Sequence, residues 1–274
     1  VSDAALELHG VRRTFSAGTT NEVKALQGVD LILERGEFAI VLGTNGSGKS
    51  SLLNAIAGSF QIDRGVIRLD GQDLTHLPEH RRARMIGRVF QDPFTGTASD
   101  LTIAENLALA ARRGRLASLR PALTSERLNQ IRGHVAALDM GLEDRLEAPM
   151  GSLSGGQRQA LTLLMATMVR PSLLMLDEHT AALDPKSEEL VLLRTQELIR
   201  REGLTALMVT HSLQQAVRMG DRVLMMHRGQ IVQDVKGVRK RRLRVEELLD
   251  RFEENRNADL MDAPAAAMVL RNYV

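Results

Sequence analysis

"GEFAIVLGTNGSGKSSLLNAIAG", Gly36 to Gly58, is the stretch on which the fold turns. Phe38 to Leu42 is an apolar run of strand length, Gly43 to Ser50 are small or polar, and Leu52, Leu53, Ile56 and Ala57 then recur at helical spacing until Gly58. The local expectation is strand, glycine loop, helix. "GTNGSGKS" fits G-x-x-x-x-G-K-[ST] in the context that this pattern requires. The residue types follow from the chemistry of phosphate. Small residues from Gly43 through Thr44, Asn45, Gly46 and Ser47 to Gly48 let backbone N–H groups converge on phosphate oxygens, and the next helix offers unpaired amides and a positive dipole end. Lys49 adds a mobile cation near the β- and γ-phosphates, Ser50 is expected to ligate Mg²⁺, and Ser51 belongs to the same nucleotide-binding turn. A bound purine nucleoside triphosphate, ATP or GTP, is the implication.

The bulk composition agrees and excludes other classes. With 274 residues, 43% hydrophobic and 26% charged, the chain can bury one large core, with or without an inserted subdomain. Lys plus Arg exceed Asp plus Glu only by 36 to 34, and aromatics are 3% with no Trp, so no nucleic-acid partner is expected. The absence of cysteine rules out disulfides and thiolate metal sites and fits a reducing compartment. "VSDAALELHG" does not read as a signal peptide. The longest strongly apolar stretch, Ala160 to Val169, is about half of the roughly 20 residues that a membrane span needs, so any membrane link is expected to run through a partner.

Leu173 to Leu176 and Ala206 to Val209 read as further buried strands, which predicts an α/β core with a largely parallel sheet. Alternation in the first 35 residues and in "IRLDGQDL" predicts a smaller antiparallel sheet. Between about Asp92 and Ser154 the pattern turns helical, in "LTIAENLALAARRGRLASL" and "SERLNQIRGHVAALDMGL", with Ser125 and Glu126 as cap and first-turn acid and Gly141 as the stop. The expected organisation is a domain over 1–236 carrying an inserted helical subdomain over 92–156, then a charged, loosely packed helical tail over 237–274. "RKRR", Arg239 to Arg242, reads either as a solvated helix face or as a patch for nucleic acid or anionic lipid.

Two further motifs supply chemistry. "LLMLDE" ends a buried strand on paired acids: Asp177 is the candidate metal-side carboxylate, and Glu178 the group that polarises or deprotonates the attacking water. His211, after the strand "TALMVT", is a third polar group at a strand end, suitably placed to sense the γ-phosphate. "SGGQ" caps an apolar helix, so Ser154, Gly155, Gly156 and Gln157 form a second anion-seeking N-terminus.

With "LSGGQRQ" at Leu153 to Gln159 preceding the acids, the set of motifs resembles the ATP-binding subunit of ATP-binding-cassette (ABC) transporters over roughly Leu6 to Val235. The resemblance implies an α/β fold, a RecA-like P-loop ATPase core with an antiparallel β subdomain and an inserted α-helical subdomain. It implies ATP and Mg²⁺ as cofactors, Phe15 stacking on adenine, Gln91 touching Mg²⁺ or the water and opening the loop that faces a membrane subunit, and Asp184 coupling two sites. It also implies a head-to-tail homodimer in which the signature of one subunit closes on the γ-phosphate held by the other. The implied partners are permease subunits and an extracytoplasmic substrate-binding protein, and the implied location is the cytoplasmic face of the membrane. "DEHTAALDP" is similar to a bacterial importer-type group linked to aromatic amino acids; a non-transport relative, such as a cofactor-assembly ATPase, stays open beside it. His179 stands where the family usually has proline. It reads either as a second water-orienting or pH-sensitive partner of Glu178, or as a tolerated change with the ring in the dimer cleft or against a neighbouring loop.

Overall fold

Alternating apolar residues start the chain. In the computed structural model, which describes residues 3–114, 122–251 and 253–254, the order begins β1 (Ala4–Phe15), β2 (Val23–Glu34), β3 (Phe38–Gly43), α1 (Lys49–Ala57), β4 (Arg64–Leu69), β5 (Gln72–Asp73). It continues with α2 (Glu79–Arg82), β6 (Ile86–Val89), α3 (Ile103–Ala110), α4 (Ser125–Ala136), α5 (Gly155–Thr167) and β7 (Leu173–Asp177). Then follow α6 (Pro185–Glu202), β8 (Ala206–Val209), α7 (Leu213–Arg218), β9 (Arg222–His227), β10 (Gln230–Lys236) and α8 (Val238–Arg242), with further helix at 245–251.

One sheet is antiparallel, in the order β2-β1-β4-β5; the other runs β10-β9-β3-β8-β7-β6, parallel except for β10 at its edge. The three central strands are apolar without interruption because both faces are covered. Their alternate side chains divide between two layers. Ala39, Val41, Leu173, Met175, Leu207 and Val209 pack with α1 and the antiparallel sheet, whereas Ile40, Leu42, Leu174, Leu176, Ala206 and Met208 pack with α6, α7 and the chain after β10. The pairing register sets Val41 beside Val209, Val209 beside Asp177, and Leu176 beside Val89. The loops after β3, β6, β7 and β8 therefore leave the sheet at one carboxyl edge, where ligands of open α/β sheets bind.

Two devices hold the surrounding helices. The buried Arg82 guanidinium donates to the Ala55 and Ile56 carbonyls at 2.8 and 2.9 Å, and so satisfies the C-terminal end of α1. Helix α5 faces two ways: Leu163 and Ala166 join the sheet layer, while Ala160, Leu161 and Leu164 join a cluster with Ile103, Leu107 and Val135. Helix α5 thus runs on past residue 156 and ties the helical region to the core.

Several expectations from the sequence need correction. The cap of α4 is Thr124, whose extended backbone lets its hydroxyl accept from Arg127 N, so Ser125 is already helical. That helix ends at Ala136, before Gly141, and Asp139 itself takes a left-handed conformation (φ 53°). The helix expected from "LTIAENLALAARRGRLASL" spans only Ile103–Ala110, opened by a Thr102–Glu105 capping box; residues 115–121 lie outside the described residues. β6, β9 and β10 were not read from the sequence. The turn Arg228-Gly229, with both φ positive, was the available hairpin signal for the last two. The tail is not loosely packed where it is described, since Leu243 and Leu248 are buried in the core and Lys240 Nζ donates to the Val217 carbonyl at 2.8 Å. "DAPAAAM" lies outside the described residues.

Candidate functional site

Helix α1 begins in a way no other long helix of the described residues does. α3, α4, α5 and α6 each have a Thr, Ser or Asp side chain accepting a first-turn amide, whereas α1 starts on Gly48 with no side-chain cap. Its first amides are left for a ligand. Gly48 has φ 103°, and a Cβ there would lie 2.6 Å from the Ala25 carbonyl oxygen, so only glycine fits this close approach. Around the loop, Ser47 N donates to the Thr44 carbonyl, Gly46 is at φ 80°, Asn45 and Ser50 are exposed, and the buried Ser47 hydroxyl has no protein partner. Lys49 Nζ donates to the carbonyls of Gly43 at 2.9 Å and Thr44 at 3.0 Å. Burial holds the Lys49 ammonium below the usual lysine range, and the charges of Glu178 and Asp177 oppose that shift. An uncapped helix, an unpaired hydroxyl and a buried cation together suit a polyphosphate.

At the end of β7, Asp177 Oδ2 lies 3.4 Å from Arg88 Nη2, which also donates to Asn54 Oδ1 at 2.8 Å. Burial raises the Asp177 carboxyl above its ordinary range against the pull of Arg88, so a further cation would be welcome there. No three His, Cys, Asp or Glu among the described residues stand together as a metal cluster. That donor set fits Mg²⁺ drawing most of its ligands from phosphate and water, with Asp177 and the exposed Ser50 of α1 as protein candidates. Gln91, two residues beyond β6, is exposed at the same sheet edge.

Glu178 occupies the left-handed region at φ 44°, a conformation costing about 1–3 kcal/mol for a non-glycine residue. Its N–H donates to the Val209 carbonyl and its carbonyl accepts from Ala181 N, both at 3.0 Å. Two such bonds, at about 0.5–1.5 kcal/mol each, are comparable with the strain but do not exceed it comfortably. The carboxylate Oε2 lies 3.5 Å from Nδ1 of the exposed His211. Two of the three strand-end polar groups are thereby in mutual reach.

His179 turns away from them. The residue is 1% exposed, and its ring lies in the core with Nε2 3.1 Å from Thr195 Oγ1 on α6. This corrects both expectations, a ring in the dimer cleft or against a neighbouring loop and a water-orienting partner of Glu178, because the turn at Glu178 sends the next side chain inward onto α6. Burial lowers the His179 imidazole from 6.5 to about 4. The unfolded chain binds that proton more readily than the folded one, so the contribution is complete above pH 6.5 and is lost as pH falls towards 4, by about 3 kcal/mol. The melting temperature should drop across this window, and His179→Gln should flatten the drop. Identical acid limbs for the two proteins would contradict a neutral buried imidazole.

The N-terminus that the sequence offers as a second anion site begins at Ser154, the cap of α5. Its hydroxyl accepts from Gln157 N while Gln157 Oε1 accepts from Ser154 N, both at 3.3 Å, leaving the Gly155 and Gly156 amides uncommitted by the cap. A Cβ on Gly156 would meet Ser187 Cβ at 2.8 Å, so α5 and the first turn of α6 approach through this glycine. Asp184 caps α6, and the Ser187 hydrogen bond holds its carboxyl below the usual range. Phe15, at the end of β1, packs edge-on against Phe60 at 5.2 Å, with Arg13 over its ring at 4.7 Å. Arg88, Asn54 and Thr195 join the site only through the fold, and of these Arg88 alone, a charge set among Ile86, Gly87 and Val89, carries a signal in the sequence.

Residues 26–181 match the model of the family described as ABC transporter. The chain is 40% identical over 248 residues to a tyrosine transport ATP-binding protein of Clostridioides difficile, covering 90% of this chain and 98% of that protein. It is 35% identical to the lipoprotein-releasing system ATP-binding protein LolD of a Ruegeria species, covering 85% and 100%. Among solved structures, the dimeric post-hydrolysis state of the ATP-binding cassette MJ0796 bound to ADP and Pi superposes with TM-score 0.71 at 28% identity, over 84% of this chain and 98% of that one.

Proposed function

Because the chain belongs to the ABC transporter ATP-binding family, and is therefore an ATP-binding ATPase of the transport kind, we propose that two copies close head-to-tail around two Mg-ATP and drive import of an amino-acid-like solute through a separate permease. The observation that carries this reading is the nearly end-to-end similarity to the relative named for tyrosine transport. An extracytoplasmic binding protein would deliver the solute, and the subunit would sit on the cytoplasmic face of the membrane, held there by the permease. No helix among the described residues is long and apolar enough to cross a membrane itself.

In this reading the amides from Gly43 to Ser51 grip the phosphates, Lys49 neutralises them, and Phe15 stacks on adenine. Mg²⁺, when bound, offsets charge on the phosphate oxygens; Ser50, Gln91 and Asp177 are the residues that would hold it. Glu178 takes the proton of the attacking water, and His211, within reach of its carboxylate, orients that water against the terminal phosphate. Ser154, Gly155, Gly156 and Gln157 close on the nucleotide of the other copy, while Asp184, at the head of the helix that meets Gly156, carries the state of one site to the other.

The permease would dock on the groove of about 440 Å³ lined by Gly96, Ala98, Leu109, Ala110, Met165 and Ala166. Leu109 is 56% exposed, so Leu109→Asp should fold normally. Expressed with the membrane subunits of its own transporter, the variant should no longer co-purify from detergent-solubilised membranes, while wild type does. Equal co-purification would remove this surface from the proposal, and a wild-type chain that never brought down a membrane protein would count against the transport reading.

A further inference from the structure

We propose that His179 is a positioning residue for Glu178: through one buried hydrogen bond to Thr195 it anchors the left-handed turn that aims the Glu178 carboxylate. The inference rests on the reading of Glu178 as the group that activates water.

The bond has a defined direction. The Thr195 hydroxyl donates to the Val191 carbonyl of its own helix at 2.8 Å, which leaves an oxygen lone pair towards the imidazole. His179 Nε2, 3.1 Å away, must then carry the hydrogen, and Nδ1 is left buried with no protein partner. An apolar side chain would fill the same space without an orphan nitrogen. What the imidazole adds is one directional contact with a rigid helix.

That contact falls where the backbone most needs it. Glu178 holds a positive φ, and its carboxylate reaches His211 on one side of the turn while the ring of residue 179 enters the core on the other. The segment from Glu178 to Asp184 is thus tied to α6 at both ends, by His179 on Thr195 and by Asp184 on Ser187 N. Helix α6 also meets the signature helix at Gly156. Rotation of the 178–179 peptide would move the carboxylate, and misplacing a catalytic group by about 1 Å can cost up to about 10²-fold in rate. His179 touches neither nucleotide nor water in this scheme.

The test measures kcat, KM for ATP, the pH profile of kcat and the melting temperature on the full chain. Thr195→Val keeps the shape of the helix and removes the acceptor. It should lower kcat about tenfold, leave KM within about twofold and leave the pH profile where it was. Thr195→Ser, which restores the acceptor, and His179→Gln, which offers an Nε2–H donor, should return kcat to within about threefold of wild type. Thr195→Val at wild-type speed, even with a lower melting temperature, would overturn the proposal, as would Thr195→Ser as slow as Thr195→Val. His179→Ala should resemble Thr195→Val, and if it does not fold the threonine pair still decides. Glu178→Gln separates the two levels: normal turnover there defeats the reading of the catalytic acid, whereas a dead Glu178→Gln beside a fully active Thr195→Val defeats the positioning role alone.

Discussion

Glu178→Gln is expected to lower ATP turnover about 10³-fold while ATP stays bound, because a positioned general base contributes about 10²–10⁴-fold and the amide keeps the shape without the proton affinity. The geometry favours this residue over its neighbour. Glu178 is held beyond the strand end, with its carboxylate 3.5 Å from His211 Nδ1. Asp177 is engaged by Arg88 at 3.4 Å and buried enough for its carboxyl to be raised. A metal-side acid should be engaged by cations, and a base should be free to face water. The variant should therefore accumulate as a nucleotide-bound dimer, visible as a shift in size-exclusion volume on adding Mg-ATP. Turnover within a few fold of wild type would mean that another group activates the water.

For Lys49→Ala the expected loss is in binding: about ten- to a hundredfold weaker ATP affinity, since hydrogen bonds to charged groups contribute about 1.5–3 kcal/mol and each 1.4 kcal/mol is tenfold. The nucleotide-free chain should melt no lower than wild type. Burial already penalises this ammonium, so its removal relieves a desolvation cost that offsets the loss of its bonds to the buried Gly43 carbonyl and the part-buried Thr44 carbonyl. Loss of affinity without loss of stability marks a binding group. Mixed with a Ser154→Arg chain, which retains its phosphate loop but has a blocked signature, the Lys49→Ala chain should recover up to about one quarter of wild-type turnover. Half the dimers are mixed, and each has one intact composite site. No recovery on mixing, with both single variants inactive and folded, would argue against sites shared between two copies.

Much of this was legible because the chemistry is written in contiguous residues. The phosphate loop, the acid pair and the "SGGQ" turn each lie within a short segment bounded by a strand or a helix, and the pairing register brings the strand ends of the first two to one edge. Where the reading failed, the competing cause is specific. Thr124 rather than Ser125 caps α4 because extended backbone, and not residue preference alone, decides which hydroxyl faces the first turn. The charge of the tail predicts a loose appendage, yet Leu243 and Leu248 fill the core and Lys240 is itself buried, with its ammonium on the Val217 carbonyl.

The amino-acid sequence by itself determined the strand, glycine loop and helix of Gly36 to Gly58 and the placing of paired acids at the end of a buried strand, because each depends on spacing along the chain. Only the tertiary structure decided which way His179 turns, that Arg88 bridges Asp177 and Asn54, and that Gly156 is the point where α5 meets α6. Those contacts join residues far apart in sequence, and their direction hangs on a single backbone dihedral or on the presence of one methyl group. No periodicity in the sequence records such quantities.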